Sequence, residues 1–556
     1  MPETGLVDFI PPRARRVIEY GCGTGETGEA FRRRQPDCRY IGVDEDAAAL
    51  KEAAKRLSGT VRASFRTAKP EKADCLVLHG RFLGEGWEKA LKSKAEVLPA
   101  GAQVILIFDN PGYVPRLLGA IQGVAAAPAG IFLEQAKAAL EEAGLAIDRV
   151  LHQQGAEIQP LSQLPQAKAM LEAMEALRQA IGARGTWYPW AKQFAILAVK
   201  GNLPSRIFVQ TIVGEGRVTG RPRIYDPMMF LGTAPGFEHR ERESRGGEVA
   251  IDLPPEHIPD RMFVRPRIFD VNMKAALLTV DEARERGFLL LHEIDDIPLR
   301  WEDAYKKTKF ITFAGCHAVQ TSTPALAEYL RQYNPEVLMF PNQLKELPAP
   351  RHYPKEGPVT IFFGALNREE DWQYILPALN AALEKYGDRV RVKVLFDTKF
   401  YQAIQTPHKE MLGQEFPDGY TSYEFYCDVL HSADISLLPL SDTLFNRSKS
   451  DLKFIESAGH GAAVLASPTV YRDTVRDGET GFLYRDPREF AERLALLVEN
   501  RQTRQKLAAA AYRYVKENRL LSQHYEERLA AYRDLFARRA ELDRALDARL
   551  EKLRQG

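Results

Sequence analysis

The sequence predicts an α/β protein built from several parallel sheets covered by helices. Apolar, β-rich runs alternate with helical patterns along almost the whole chain, as expected when helices cross over between parallel strands. At 556 residues the chain exceeds what one hydrophobic core serves, which calls for three or four units. Its 45% apolar and 27% charged residues are those of an ordinary globular protein, so folded units should fill most of it.

In the first third, strands are predicted at 16–20, 40–43, 75–78, 104–108 and 193–199, with helical stretches between them. A polar turn at 200–205 precedes a fresh strand at 206–213, so a boundary falls near residue 203. A second alternating block runs to about Pro341, and the proline-rich segment LKELPAPRHYPKEGP reads as a hinge. The third block restarts with a strand at 359–363, and Phe490, Leu494, Leu497 and Val498 mark one face of a late helix. The expected division is therefore 1–203, 204–345, 346–520 and a helical tail at 521–556. Leu535, Leu542, Leu546, Leu550 and Leu553 form an apolar stripe in that tail, fit either for packing on the chain itself or for homo-oligomerisation. The near-identical hexapeptides RPRIYD (221–226) and RPRIFD (265–270) have unrelated flanks and are read as coincidence.

Lysine plus arginine (76) balances aspartate plus glutamate (75), leaving no global field to attract nucleic acid. The five cysteines are odd in number and contain no CxxC pair, which argues against a disulfide framework and a zinc site and for a reducing, cytoplasmic location. No signal-peptide core and no apolar run of membrane-spanning length occurs, so no integral membrane segment is expected.

Chemistry concentrates in two places. In VIEYGCGTGETG a strand enters a glycine-rich turn and then a helix, a backbone that lets a ligand come close. Glu19, Gly21, Gly23 and Gly25 have the spacing of an acidic-x-Gly-x-Gly-x-Gly motif, and Asp44 ends the next strand where ribose hydroxyls could be held. Gly23, Gly25 and Gly28 also satisfy the dinucleotide pattern GxGxxG; the acidic Glu19 favours S-adenosylmethionine (SAM) over a dinucleotide. With LPAGAQVILIFDNPGYVPRLLGAI and LEEAGLAI further on, residues 10–200 resemble class I SAM-dependent methyltransferases. That resemblance implies SAM as cofactor, bound by Glu19, Gly21, Gly23, Gly25 and Asp44. For a hydroxyl acceptor, His79 or Asp109 at strand ends could serve as base.

The second place is SKSDLKFIESAGHGAAVLASPTVYRDTVRDGETGFLYRDPREFAERLALLVEN. It resembles the C-terminal domain of GT-B glycosyltransferases of the family 4/group 1 type, and the likeness spans about 205–520. A leaving nucleoside diphosphate needs cations and a helix N-terminus. The resemblance assigns Lys449 and Lys453 to the phosphates, Glu456 to the ribose and Arg368 as a second phosphate cation. Ser448 stands where relatives often carry a further acidic residue. RIFVQTIVGEGRVTG resembles the first strand and loop of the GT-B N-terminal domain, which makes Gly214, Gly216 and Arg217 donor-binding candidates. In FLLLHEIDDIP, His292, Asp295 and Asp296 follow a strand; they could position the acceptor, act as base or bind a metal, and acceptor or sugar contact with no metal required is favoured. The resemblance thus implies three Rossmann-like domains, one methyltransferase-like and two forming a GT-B unit, acting on a nucleotide sugar and a glycan or protein acceptor. A first domain serving only as scaffold, or a chain serving only in assembly, remain the alternatives.

Overall fold

A computed structural model describes residues 5–114, 116–117, 130–154, 165–180, 188–213, 220–243, 257–353, 356–413 and 421–555. The chain divides into two compact units, Met1–Ser205 with Gly232–Gly236, and Arg206–Leu231 with Phe237–Gly556.

The first unit holds a seven-stranded sheet. Its strands are β1 (Arg16–Tyr20), β2 (Arg39–Asp44), β3 (Gly59–Arg62), β4 (Cys75–His79), β5 (Gln103–Asp109), β6 (Leu145–Gln154) and β7 (Ala191–Lys200). Their order is β3-β2-β1-β4-β5-β7-β6, with only β7 running against its neighbours. Chain order reverses between β1 and β4, which opens a crevice at the carboxyl ends of those two strands. Apolar residues cover both faces, with Val17, Val77 and Ile105 on one side and Ile18, Leu76 and Leu106 on the other.

The second unit carries two six-stranded, wholly parallel sheets. One contains β8 (Ile207–Val213), β9 (Phe237–Glu243), β10 (Asp260–Pro266), β11 (Phe288–Glu293), β12 (Ala318–Thr321) and β13 (Val337–Met339), in the order β13-β12-β11-β10-β8-β9. The other contains β14 (Val359–Gly364), β15 (Val390–Leu395), β16 (Lys409–Leu412), β17 (Ile435–Leu438), β18 (Ala463–Ala466) and β19 (Phe482–Leu483), in the order β16-β15-β14-β17-β18-β19. Local chemistry sets the helix starts: Thr323 accepts from Leu326 N and Pro324 opens the helix Pro324–Arg331.

The helices Leu521–Ala537 and Arg539–Gln555 return to the β8–β13 half. Tyr532 donates to Gln320 at 2.8 Å, Arg528 to the Arg223 carbonyl at 2.7 Å, and Asp543 pairs with His317 at 2.9 Å. Leu546 and Leu550 join the core of Phe288, Phe313 and Leu326. The leucine stripe is therefore spent on its own chain. The hexapeptides share no structure: Arg221–Tyr225 is a π-helical turn, whereas Arg265 and Pro266 end β10.

Candidate functional site

In the first unit the site grows from the end of β1. Gly21 and Gly23 both hold positive φ, +86° and +53°, a region side chains disfavour. A Cβ at Gly21 would lie 2.9 Å from that of Phe82 and 3.1 Å from that of His79, whereas a Cβ at Gly23 would meet nothing within 4 Å. Gly23 is thus where the turn opens to a ligand. Gly25 then starts the helix Glu26–Arg34. Asp44, at the end of β2, accepts from Gly23 N and from Asp46 N, both at 3.0 Å, so its carboxylate is fixed beside the loop. The residues present fit SAM: an open glycine turn for its backbone and a fixed acid one strand away for its ribose.

Glu19 lies at the carboxyl end of β1, directly before the glycine turn. It is buried, and both its oxygens are engaged: Oε2 accepts from the Tyr40 hydroxyl at 3.0 Å and Oε1 meets His79 Nε2 at 2.9 Å. Burial, reinforced by the Glu19 charge, pushes the Tyr40 phenol well above its ordinary range, so it stays a donor. Burial together with Glu19 and Asp44 pushes Cys22 up to about 12, which keeps it a thiol. Asp109, the other candidate base, is held by Arg81 at 2.7 Å and Gln193 at 3.3 Å.

In the second unit a cavity of about 370 Å³ lies between the two parallel sheets. Arg267, Asp295 and Asp296 line it from the β8–β13 half, and Arg368, Tyr426, Lys449, Lys453 and Glu456 from the β14–β19 half. The loops after β14 and before the helix Leu452–Gly459 meet here, where strand order reverses between β14 and β17. The Asp451 side chain leaves that helix N-terminus uncapped, being taken instead by Arg519 and Thr474. The first residues of that helix, Leu452 and Lys453, line the cavity, which suits its N-terminus to an anion there.

Charges in the cavity hold one another. Lys449 Nζ lies 2.5 Å from Asp296, Arg267 bridges Asp296 at 2.9 Å and Asp295 at 2.7 Å, and Arg223 joins Asp295 at 2.9 Å to Glu293 at 2.7 Å. Burial alone would raise the Asp296 carboxyl, but Lys449 and Arg267 outweigh it and hold it below the usual range. Burial lowers Lys449 despite Asp296 beside it, and it raises the deeper Glu293 despite Arg223. Glu456 accepts from the Tyr426 hydroxyl at 2.7 Å, and Lys453 donates to that hydroxyl at 2.9 Å. Arg368 is tied to Asp371 and Asn446, both at 3.0 Å.

Six of the predicted residues thus line this cavity as a group, namely Asp295, Asp296, Arg368, Lys449, Lys453 and Glu456. Ser448 is structural: its hydroxyl donates to the Leu444 carbonyl, and its own carbonyl accepts from Thr323. His292 does not reach the cavity. It is wholly buried in β11, its ring edge-on to Phe313 at 5.3 Å, and burial with Arg265 keeps its pKa well below the ordinary value. A neutral imidazole sealed in the core has no access to an acceptor, so His292 drops out as a reacting group. Gly214, Gly216 and Arg217 lie outside the described residues. Arg223, Arg267 and Tyr426 escaped sequence reasoning, since each meets a site carboxylate far along the chain and no local motif marks it. Among the described residues no cluster of three or more His, Cys, Asp or Glu could hold a metal, and no helix is long and apolar enough to cross a membrane.

A glycine-turn crevice in one unit and two parallel sheets flanking a charged cleft in the other define an α/β protein with a methyltransferase-like fold and a GT-B arrangement. Comparison with known proteins names both parts. Residues 17–99 match the methyltransferase domain family, and residues 398–534 match the glycosyl transferase-like family. The chain carries a methyltransferase domain followed by a glycosyltransferase-like domain. Trans-aconitate 2-methyltransferase of Acidovorax ebreus (strain TPSY) is 25% identical over 268 residues, which are 48% of this chain and 88% of that protein. Among solved structures, sucrose-phosphate synthase from Thermosynechococcus elongatus shares 13% identity, with 60% of this chain and 100% of that one covered and a TM-score of 0.42. S. aureus TarM shares 13% over 49% of this chain, with a TM-score of 0.38, and the match spans 55% of TarM's length. A SAM-dependent methyltransferase from Archaeoglobus fulgidus shares 18%, covering 34% of this chain and 86% of its own, with a TM-score of 0.25.

Proposed function

We propose that the second unit transfers a sugar from a nucleotide-sugar donor to a glycan or protein acceptor, and that the first binds SAM and methylates the glycan or its acceptor. The observation that carries the transfer reading is the cleft itself, where Lys449, Lys453 and an uncapped helix N-terminus converge beside Glu456. A departing nucleoside diphosphate gathers negative charge, and those groups are suited to receive it. Glu456, its carboxylate fixed by Tyr426, is suited to hold ribose hydroxyls. Asp295 and Asp296, on the facing half, are suited to the acceptor hydroxyl. Closure of the cleft would exclude water and favour transfer over hydrolysis. The proposed domains are 1–203 for SAM, 204–345 for the acceptor and 346–520 for the donor, with 521–556 bracing the second of these. A surface polysaccharide or a flagellin-type protein glycan made in the cytoplasm is the product class we assign.

The test is calorimetric titration of the full chain with SAM and with a panel of UDP-, GDP- and other nucleotide sugars, repeated for Gly23→Arg and Glu456→Ala. Loss of SAM binding only in the first variant and of sugar-nucleotide binding only in the second establishes two independent sites. Binding of neither ligand class by the unaltered chain sinks the reading.

A further inference from the structure

Glu19 and His79 stand 60 residues apart in sequence and on neighbouring strands in the sheet, at the carboxyl ends of β1 and β4 where chain order reverses. The pair is asymmetric. Glu19 is buried to 1% exposure with one oxygen engaged by Tyr40 and the other by His79, while the His79 side chain keeps 31% of its surface open. Because Nε2 is spent on Glu19 Oε1, Nδ1 is the ring's remaining nitrogen, and no described residue bonds to it. The ring also sits beside the glycine turn, its Cβ only 3.1 Å from where a Gly21 Cβ would be. A buried acceptor-only carboxylate fixes the tautomer, with the proton on Nε2 and a lone pair on Nδ1. The neighbouring charges do not compete for the ring, since Arg81 is spent on Asp109.

From this geometry we propose that His79 is the general base of the methyltransferase unit, that Glu19 is its positioning residue rather than a ligand of the cofactor, and that the acceptor atom is a hydroxyl oxygen. The proposal rests on the reading of this unit as SAM-dependent. SAM, when bound, supplies an electrophilic methyl group whose bonding electron pair stays on sulfur. The acceptor oxygen gains that carbon and gives up its proton, which His79 takes at Nδ1; the resulting imidazolium is balanced by Glu19 through Nε2–H. A carboxylate acceptor, already deprotonated, would need no base, whereas a hydroxyl must lose its proton and can pass it to this imidazole.

The test needs no known acceptor. The full chain is first titrated with SAM, then incubated with a 5′-aziridine analogue of adenosine, whose strained carbon–nitrogen bond opens onto a lone pair in the methyl-acceptor position while the freed amine takes a proton from water. Peptide mass spectrometry is expected to find the adduct on His79, suppressed by excess S-adenosylhomocysteine and absent from His79→Gln, which should still bind SAM within about threefold. For Glu19, the signature is a slowly exchanging, downfield imidazole N–H assigned to Nε2 by nitrogen-15 NMR and lost in Glu19→Gln. SAM binding with the adduct elsewhere, or with the protonated nitrogen found to be Nδ1, overturns the proposal and leaves the methyltransferase reading intact. Absence of SAM binding removes both.

Discussion

In the first unit a ligand would meet main chain: a turn that holds positive φ at Gly21 and Gly23 and is open at Gly23, with one fixed carboxylate at the end of the next strand. In the second it would meet side chains, gathered from segments as far apart as Arg223 and Glu456 and already paired with one another. The first site is contiguous in sequence, with its turn tied to the next strand through Gly23 N and Asp44. The second is assembled at long range, and an anion bound there would compete with the carboxylates already paired to Lys449, Arg267 and Arg368. Lys449 shows the cost, since binding an anion there means loosening its contact with Asp296. Mutations should therefore act locally on the first site and through the whole unit on the second.

The largest effect expected is on assembly. Leu546→Ala opens a cavity where the terminal helix packs on the β8–β13 half. It should cost about 3 kcal/mol of the second unit's stability. Calorimetric melting should show that unit's transition falling while SAM affinity at 25 °C stays within twofold; a fall in both would mean that the two sites are not separately supported. Gly23→Arg comes next. Its side chain enters the open space above the turn, and SAM affinity should drop about a hundredfold, or about 2.7 kcal/mol, with nucleotide-sugar affinity unchanged by titration. Glu456→Ala should weaken nucleotide-sugar binding about thirtyfold, or about 2 kcal/mol, because the Tyr426 hydroxyl loses its partner as well as the ligand losing its acceptor.

The smallest effect is a pH dependence. Asp296 has a folded pKa below its unfolded value of about 3.9. Its ionised form is favoured in the native state, so the stability it contributes is present above about pH 4 and is lost as pH falls through the lower folded value. Wild type should therefore melt above Asp296→Asn at pH 7, by about 1 kcal/mol, with the gap closing in acid. A gap that persists in acid would mean that the Lys449 contact contributes through packing rather than charge.

Parts of both sites could be read directly. Glu19, Gly21, Gly23, Gly25 and Asp44 lie within 26 residues, and a strand–turn–helix motif imposes its own spacing. Lys449, Lys453 and Glu456 belong to one helix and its entry, so they too travel together. Others could not be read. His292 drew attention as a polar residue closing an apolar run, yet both faces of a parallel sheet are covered, and its place on β11 leaves it sealed. The partners of Glu19, Tyr40 and His79, lie on other strands and carry no mark in the motif.

By itself the sequence determined the α/β class, most strand positions and the two motif-bearing turns, because these depend on periodicity and on backbone demands within a few residues. Only the tertiary structure decided that Arg267 and Tyr426 line the cleft, that Arg223 braces Asp295 and Glu293, and that the leucine stripe packs inward. It alone pairs Glu19 with His79. Those outcomes depend on which strand ends become neighbours, and adjacency across a parallel sheet is set by packing of the whole unit rather than by any local spacing.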